Sequence, residues 1–208
     1  MRFAIGRDKV NGQISPLIVS HKDPGAAETL SQRLGDALRN VSCGELVIVC
    51  IGTDRSTGDA LGPLVGTNLR HKQIGFPVYG TLNEPVHAMN LHDTMDQIAM
   101  TFANPYIIAV DACLGQLSSV GNIQLCSGPV KPGAGVHKEL PAVGNIHITG
   151  VVNVGGFMEY FVLQNTRLSL VFEMADVISS GLYKALHFVS EAAASSARPD
   201  GSLPSLQG

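Results

Sequence analysis

The sequence predicts an α/β domain of three layers, an α/β/α sandwich on a doubly wound, mainly parallel sheet. Three observations carry this. Continuous apolar runs such as Leu46 to Ile51 read as strands buried on both faces. Segments with helical spacing alternate with those runs along the chain. Two runs, ending at Ile51 and Asp111, break into polar loops of the kind that open beyond the carboxyl ends of parallel strands.

Asp23-Pro24 reads as an N-cap followed by proline at the first helical position. Leu30, Leu34, Ala37, Leu38 and Val41 then recur at helical spacing, which predicts a helix over 24–40. A strand over 45–51 follows, then a helix over 59–71 with Leu61, Leu64, Val65 and Leu69 inward. Pro77 to Leu82 reads as a short strand. Asn90 caps a helix with apolar face Leu91, Met95, Ile98 and Phe102, ending before Asn104-Pro105. Strands are expected at 106–111, around 120–126 and at 145–151, with the proline- and glycine-rich stretch SGPVKPGAGVHKELP as a loop between the last two. Val171, Met174, Ala175, Ile178, Leu182, Ala185, Leu186 and Val189 form the stripe of a long C-terminal helix. Residues 1–196 make one domain, and 197–208 read as a frayed polar tail.

With 208 residues the chain can bury a sizeable core. A net charge of −3 and a pI near 6.1 supply no electrostatic reason to expect nucleic acid or a membrane surface as partner. Charged residues are 15% of the chain, against roughly 25% in an average soluble protein. Either an oligomer interface or an uncharged, loop-rich surface accounts for that deficit. No apolar run reaches the about 18 residues of a membrane span, and the start carries no apolar segment of signal-peptide length, so a cytoplasmic location is expected. Cys43, Cys50, Cys113 and Cys126 form no CxxC pair, so reduced thiols are expected.

Phosphate binding fits poorly. The spacing from Gly52 to Gly58 is one residue longer than in a P-loop, and Asp59 stands where the lysine belongs. GAGVHK fails the dinucleotide pattern, with Lys138 at the third glycine. Asp59 and Asp111 carry the chemical interest. Each alone could cap a helix or a loop. As a pair of neighbouring carboxylates they could divide the roles of proton donor and base, or hold a divalent metal together with an imidazole. His137 is the natural third group, or else a solvated loop histidine. Gly52 and Asp54 in one loop, and Gly133 and Gly135 in the other, are the expected substrate-binding positions. His87 and His92, five apart and outside any HExxH pattern, read as structural. Cys113 reads as a small hydrophobe in preference to a nucleophile. Lys131 and Lys138 read as solvated charges, and no GxSxG motif is present.

IGTDRSTGDALGPLV, IIAVDA, KPGAGVHKEL and ITGVVNV, in this order over roughly residues 22 to 192, resemble the YyaC-type sporulation proteins of spore-forming bacteria. That family is similar in fold to the spore germination protease and to hydrogenase maturation peptidases, which implies the same α/β/α sandwich. The resemblance to the germination protease implies peptide-bond hydrolysis in the sporulating cell or spore, with Asp59 of GDALGP and Asp111 of VDA as acids. That protease has a further acid in a DTG segment, where this chain reads Ser127-Gly128-Pro129. The resemblance to the maturation peptidases implies instead a metal site of Asp59, Asp111 and His137, taking nickel or zinc. The alternatives are a relative without catalysis, serving as a binding or assembly protein in sporulation, and a metal-binding protein of the same fold. The expected partner is a peptide or protein substrate, with a homo-oligomer as a further expectation.

Overall fold

Every residue of the strand Leu46–Cys50 (β2) is buried, and alternation sends its side chains to two separate cores. Leu46, Ile48 and Cys50 pack with three helices, Ala26–Leu38 (α1), Leu61–His71 (α2) and Leu168–Ser196 (α5). Val47 and Val49 pack with Leu91 and Ile98 of the helix Leu91–Thr101 (α3) and with Val143. Double burial is the reason this run is unbroken hydrophobe. The computed structural model of the chain describes residues 15–39, 41, 46–133 and 140–196, with backbone alone over 192–196.

The sheet has the order β1-β5-β6-β4-β2-β3, where β1 is Leu17–Ser20, β3 Val78–Tyr79, β4 Tyr106–Gly115, β5 Asn122–Ser127 and β6 Ile146–Val154. β3, β2, β4 and β6 run parallel to one another. β5 is antiparallel to both its neighbours, so it alone is reversed. The expected mainly parallel α/β/α architecture is therefore present. Its second outer layer is thin, built from α3 and the stretch around Val130, Leu140 and Val143.

Several boundaries differ from the sequence reading. The first helix starts at Ala26, and Asp23 makes a turn ahead of it, its Oδ1 accepting the Gly25 N–H (2.8 Å). The strand expected over 77–82 shrinks to two residues, because the chain turns at Thr81, whose N–H donates to the Glu84 carbonyl (3.0 Å). Asn90 does precede α3, but its side chain accepts the His87 N–H (2.8 Å) instead of a helix N–H. β4 does not end on Asp111; it continues to Gly115 through an irregularity between Cys113 and Leu114. Two elements were not foreseen, β1 and the short helix Glu159–Gln164 (α4). The α5 stripe is as read: Val171, Met174, Ala175, Ile178, Leu182, Ala185 and Leu186 are all buried. The expected tail and Cys43 lie outside the described residues, and Cys50, Cys113 and Cys126 are free thiols. No helix among the described residues is long and apolar enough to cross a membrane.

Candidate active site

The chain leaves β2 for α2 on one face and returns to β4 from α3 on the other. The carboxyl ends of β2 and β4, where these connections part, bound a cleft of about 310 Å³. Gly52, just past β2, adopts φ +140, and a Cβ there would collide with the carbonyl oxygen of Asp59. Glycine thus lets the loop fold back until the Asp59 carbonyl accepts the Thr53 N–H (3.2 Å). Asp59 occupies the middle of the 3-10 turn Gly58–Ala60 that feeds α2, and it lines the cleft half-buried.

Asp111 stands one residue beyond the last β2–β4 pair, Cys50 with Val110, and opposite Thr149 of β6. So although β4 runs on, Asp111 still flanks the point where β2 ends. It is buried, 7% exposed, and its Oδ1 accepts the Ala112 N–H (2.9 Å). Burial pushes its carboxyl well above the usual carboxylate range, and the charge of Asp59 pushes it further, against the pull of the Ala112 N–H. Asp59 is also raised by burial, with the Thr53 backbone N–H and the nearby His87 pulling it partway back. Burial thus favours the protonated form of both acids, and because Asp111 feels the charge of Asp59 the two titrate as a coupled pair.

The walls are largely apolar, with Leu114, Leu140, Tyr160 and Leu163 among the lining residues. Tyr160 and Leu163 come from α4, which is held by Asn153: its Nδ2 donates to the Val162 carbonyl and to Thr166 Oγ1, both at 3.2 Å. A Cβ at Gly58 would stand 2.8 Å from Thr166 Oγ1 and 2.9 Å from Leu163 Cδ2, so α4 rests directly on the turn that bears Asp59. Cys113 also lines the cleft, with its thiol pushed up to about 11, chiefly by burial; it is no ready nucleophile. Ser56 lines it too, 8% exposed, its Oγ without a hydrogen-bond partner among the described residues.

Of the positions anticipated from sequence, Asp59, Asp111, Gly52 and Gly133 gather on this cleft. Asp54 is exposed and not among the lining residues, and Lys131 is exposed. His137, Gly135 and Lys138 lie outside the described residues. His87, read from sequence as structural, lines the cleft beside Asp59, whereas His92 is a surface residue 3.5 Å from Asp96. The one hint at His87 was an asparagine three residues on, able to clamp it. Ser127 pairs with Ile146, three positions before Thr149 on β6 and roughly 10 Å along the strand direction from the level of Asp111. An acid there could not share a proton with Asp111, so serine at this position does not remove a partner from the pair.

Among the described residues no three of His, Cys, Asp and Glu gather closely enough to hold a metal ion. The third ligand of the nickel or zinc site that the family resemblance implies, His137, lies outside the described residues, so only its two carboxylates, Asp59 and Asp111, are seen on the cleft.

The curated protein described as uncharacterized protein YyaC of Bacillus subtilis (strain 168) is 58% identical over 165 residues, spanning 79% of this chain and 80% of that protein. Among solved structures, the [NiFe] hydrogenase maturation protease HycI from Thermococcus kodakarensis KOD1 is similar with a TM-score of 0.51 and 17% identity, covering 74% of this chain and 98% of that one. At that identity the likeness is one of fold. A family model described as a protein of unknown function (DUF1256) matches residues 18–181, four-fifths of the chain, and the chain belongs to that family.

Proposed function

We propose that this chain is a peptidase-like hydrolase that uses Asp59 and Asp111 as a general base and a general acid. The observation that carries this reading is the sharing of one apolar cleft by two acids, one of which feels the other's charge. Burying two carboxylates together costs stability, and such perturbed pairs concentrate at functional sites. In the reaction, the ionised Asp59 takes a proton from water as the water oxygen adds to the scissile carbonyl carbon. Asp111 then gives its proton to the amide nitrogen as the C–N bond breaks. Exchange with solvent returns both acids to their starting states. The unpartnered Ser56 hydroxyl on the wall fits a cleft whose polar groups are completed by substrate.

The fold shared with a hydrogenase maturation protease supports a polypeptide substrate, and the motif resemblance to YyaC-type sporulation proteins is what supports a place in the cytoplasm of the sporulating cell or in the spore. The test is cleavage of a peptide library in heavy-oxygen water. One labelled oxygen is expected in each new C-terminus, with Asp59→Asn and Asp111→Asn each slowing release by about 10²–10⁴-fold. A wild-type chain that releases nothing, or variants that keep its rate, would overturn the reading.

A further inference from the structure

We propose that His87 is a further catalytic residue of this cleft, donating its Nε2–H to the oxygen of the scissile carbonyl as negative charge develops there. The assignment rests on the hydrolase reading and adds to it the missing electrophile. Asp59 and Asp111 account for the two proton transfers, and a separate fixed donor to the oxyanion leaves the Asp111 proton for the leaving nitrogen.

The geometry around the ring supplies that donor. The Met89 backbone N–H donates to His87 Nδ1 (3.2 Å), so in the neutral imidazole the ring hydrogen sits on Nε2. Among the described residues Nε2 has no hydrogen-bond or ion-pair partner. His87 lines the cleft, near enough to Asp59 that its cationic form would favour that carboxylate, and the two form no direct ion pair among the described residues.

The ring is also rigidly mounted. Asn90 Oδ1 accepts the His87 N–H (2.8 Å), and the His87 carbonyl accepts the N–H groups of Asn90 (3.0 Å) and Leu91 (2.9 Å). Asn90 Nδ2 donates to the Pro85 carbonyl (3.0 Å), closing the clamp. Val86 bridges to Ile51, and its carbonyl accepts the Gly52 N–H (2.8 Å). The segment bearing His87 is therefore fastened to Gly52, the residue that lets the loop fold back onto Asp59. Such preorganisation is what an oxyanion donor needs.

In the step itself the water oxygen bonds to the carbonyl carbon while Asp59 takes the water proton. The carbonyl π electrons move to the oxygen, which accepts the His87 Nε2–H hydrogen bond. When the carbonyl reforms, the C–N bond breaks and the nitrogen takes the proton of Asp111. His87 keeps its hydrogen throughout.

The experiment compares cleavage by wild type, Asp59→Asn, His87→Ala and His87→Gln. His87→Ala is expected to lower kcat about 10²–10³-fold with KM nearly unchanged, the pattern of an interaction made in the transition state. His87→Gln, whose amide offers N–H groups near the same place, is expected to recover about tenfold of that loss. Nitrogen NMR of the folded wild type is expected to show hydrogen on Nε2 and none on Nδ1. Cleavage that depends on Asp59 but survives His87→Ala overturns this assignment alone, as does a loss confined to KM or a ring protonated on Nδ1. Absence of Asp59-dependent cleavage overturns the hydrolase reading and this step with it. Should His87→Ala melt far below wild type, His87→Gln and the NMR assignment decide.

Discussion

Gly52→Ala should disable the cleft from a position that contributes no functional group. A Cβ on residue 52 would strike the Asp59 carbonyl oxygen and come within 3.1 Å of the Asp59 carbonyl carbon and of Pro63 Cδ. Two of these are backbone atoms, which cannot swing aside as a side-chain tip could. Holding alanine at φ +140 costs about 1–3 kcal/mol. Moving the 3-10 turn to relieve the collision costs about 1–3 kcal/mol more. The two together come to about 4 kcal/mol, and at about 2–4 °C per kcal/mol for a chain of this size the melting temperature should fall by about 8–16 °C. Because the turn that must move carries Asp59, the acid pair should also separate. Calorimetry reads the first effect, and the titration of Asp111, lowered as Asp59 withdraws, reads the second. An alanine variant that melts within about 2 °C of the parent, with Asp111 still titrating high, would refute the claim that Gly52 sets the position of Asp59.

Three further outcomes are expected. The folded pKa of Asp111 lies above its unfolded value of about 3.9, so the native state binds the proton more tightly and stability falls as pH rises between the two values. Asp111→Asn should remove that decline and be more stable than wild type above the window; urea unfolding across pH would contradict this if both chains followed the same curve. Asn153→Ala should cost about 1–2 kcal/mol and speed amide hydrogen exchange through α4, because both bonds from its Nδ2 are lost; unchanged exchange there would mean that α4 is held by packing alone. Alkylation of Cys113 should be slow at neutral pH and climb about tenfold per pH unit toward about 11; a rate already saturated near pH 8 would contradict the burial of that thiol.

What could be read from the sequence was whatever local burial imposes on local pattern. Leu46–Cys50 is apolar at every position because helices cover both its faces, and the α5 stripe follows from packing one side of a helix on the sheet. Asp59 and Asp111 were legible as acids breaking apolar runs. The missed pieces owe their structure to distant partners. β1 has four residues at the sheet edge and is defined by its antiparallel pairing with β5, a hundred positions along the chain. No residue of α4 is fully buried, and its N-cap Met158 has φ +59; what holds it is Asn153 on β6, the contact with Gly58 and the packing of Leu163 against the core. β4 continues past Asp111 because β6 keeps pairing with it after β2 has stopped, a difference invisible in the segment itself. His87 illustrates the same limit at the site. A lone histidine two residues past a proline carries little signal until the Ile51–Val86 bridge and the Asn90 clamp bring it beside Asp59.

The central claim is that Asp59 and Asp111 act as one coupled acid pair, and carbon NMR of the aspartate carboxyls across pH tests it most directly. In the wild-type chain Asp111 should titrate well above the ordinary carboxylate range and Asp59 more modestly above it. Asp59→Asn should bring Asp111 partway down, since the neighbouring charge is gone while burial remains. An Asp111 that titrates in the ordinary range, or one that ignores the loss of Asp59, would contradict the pair and the hydrolase built on it.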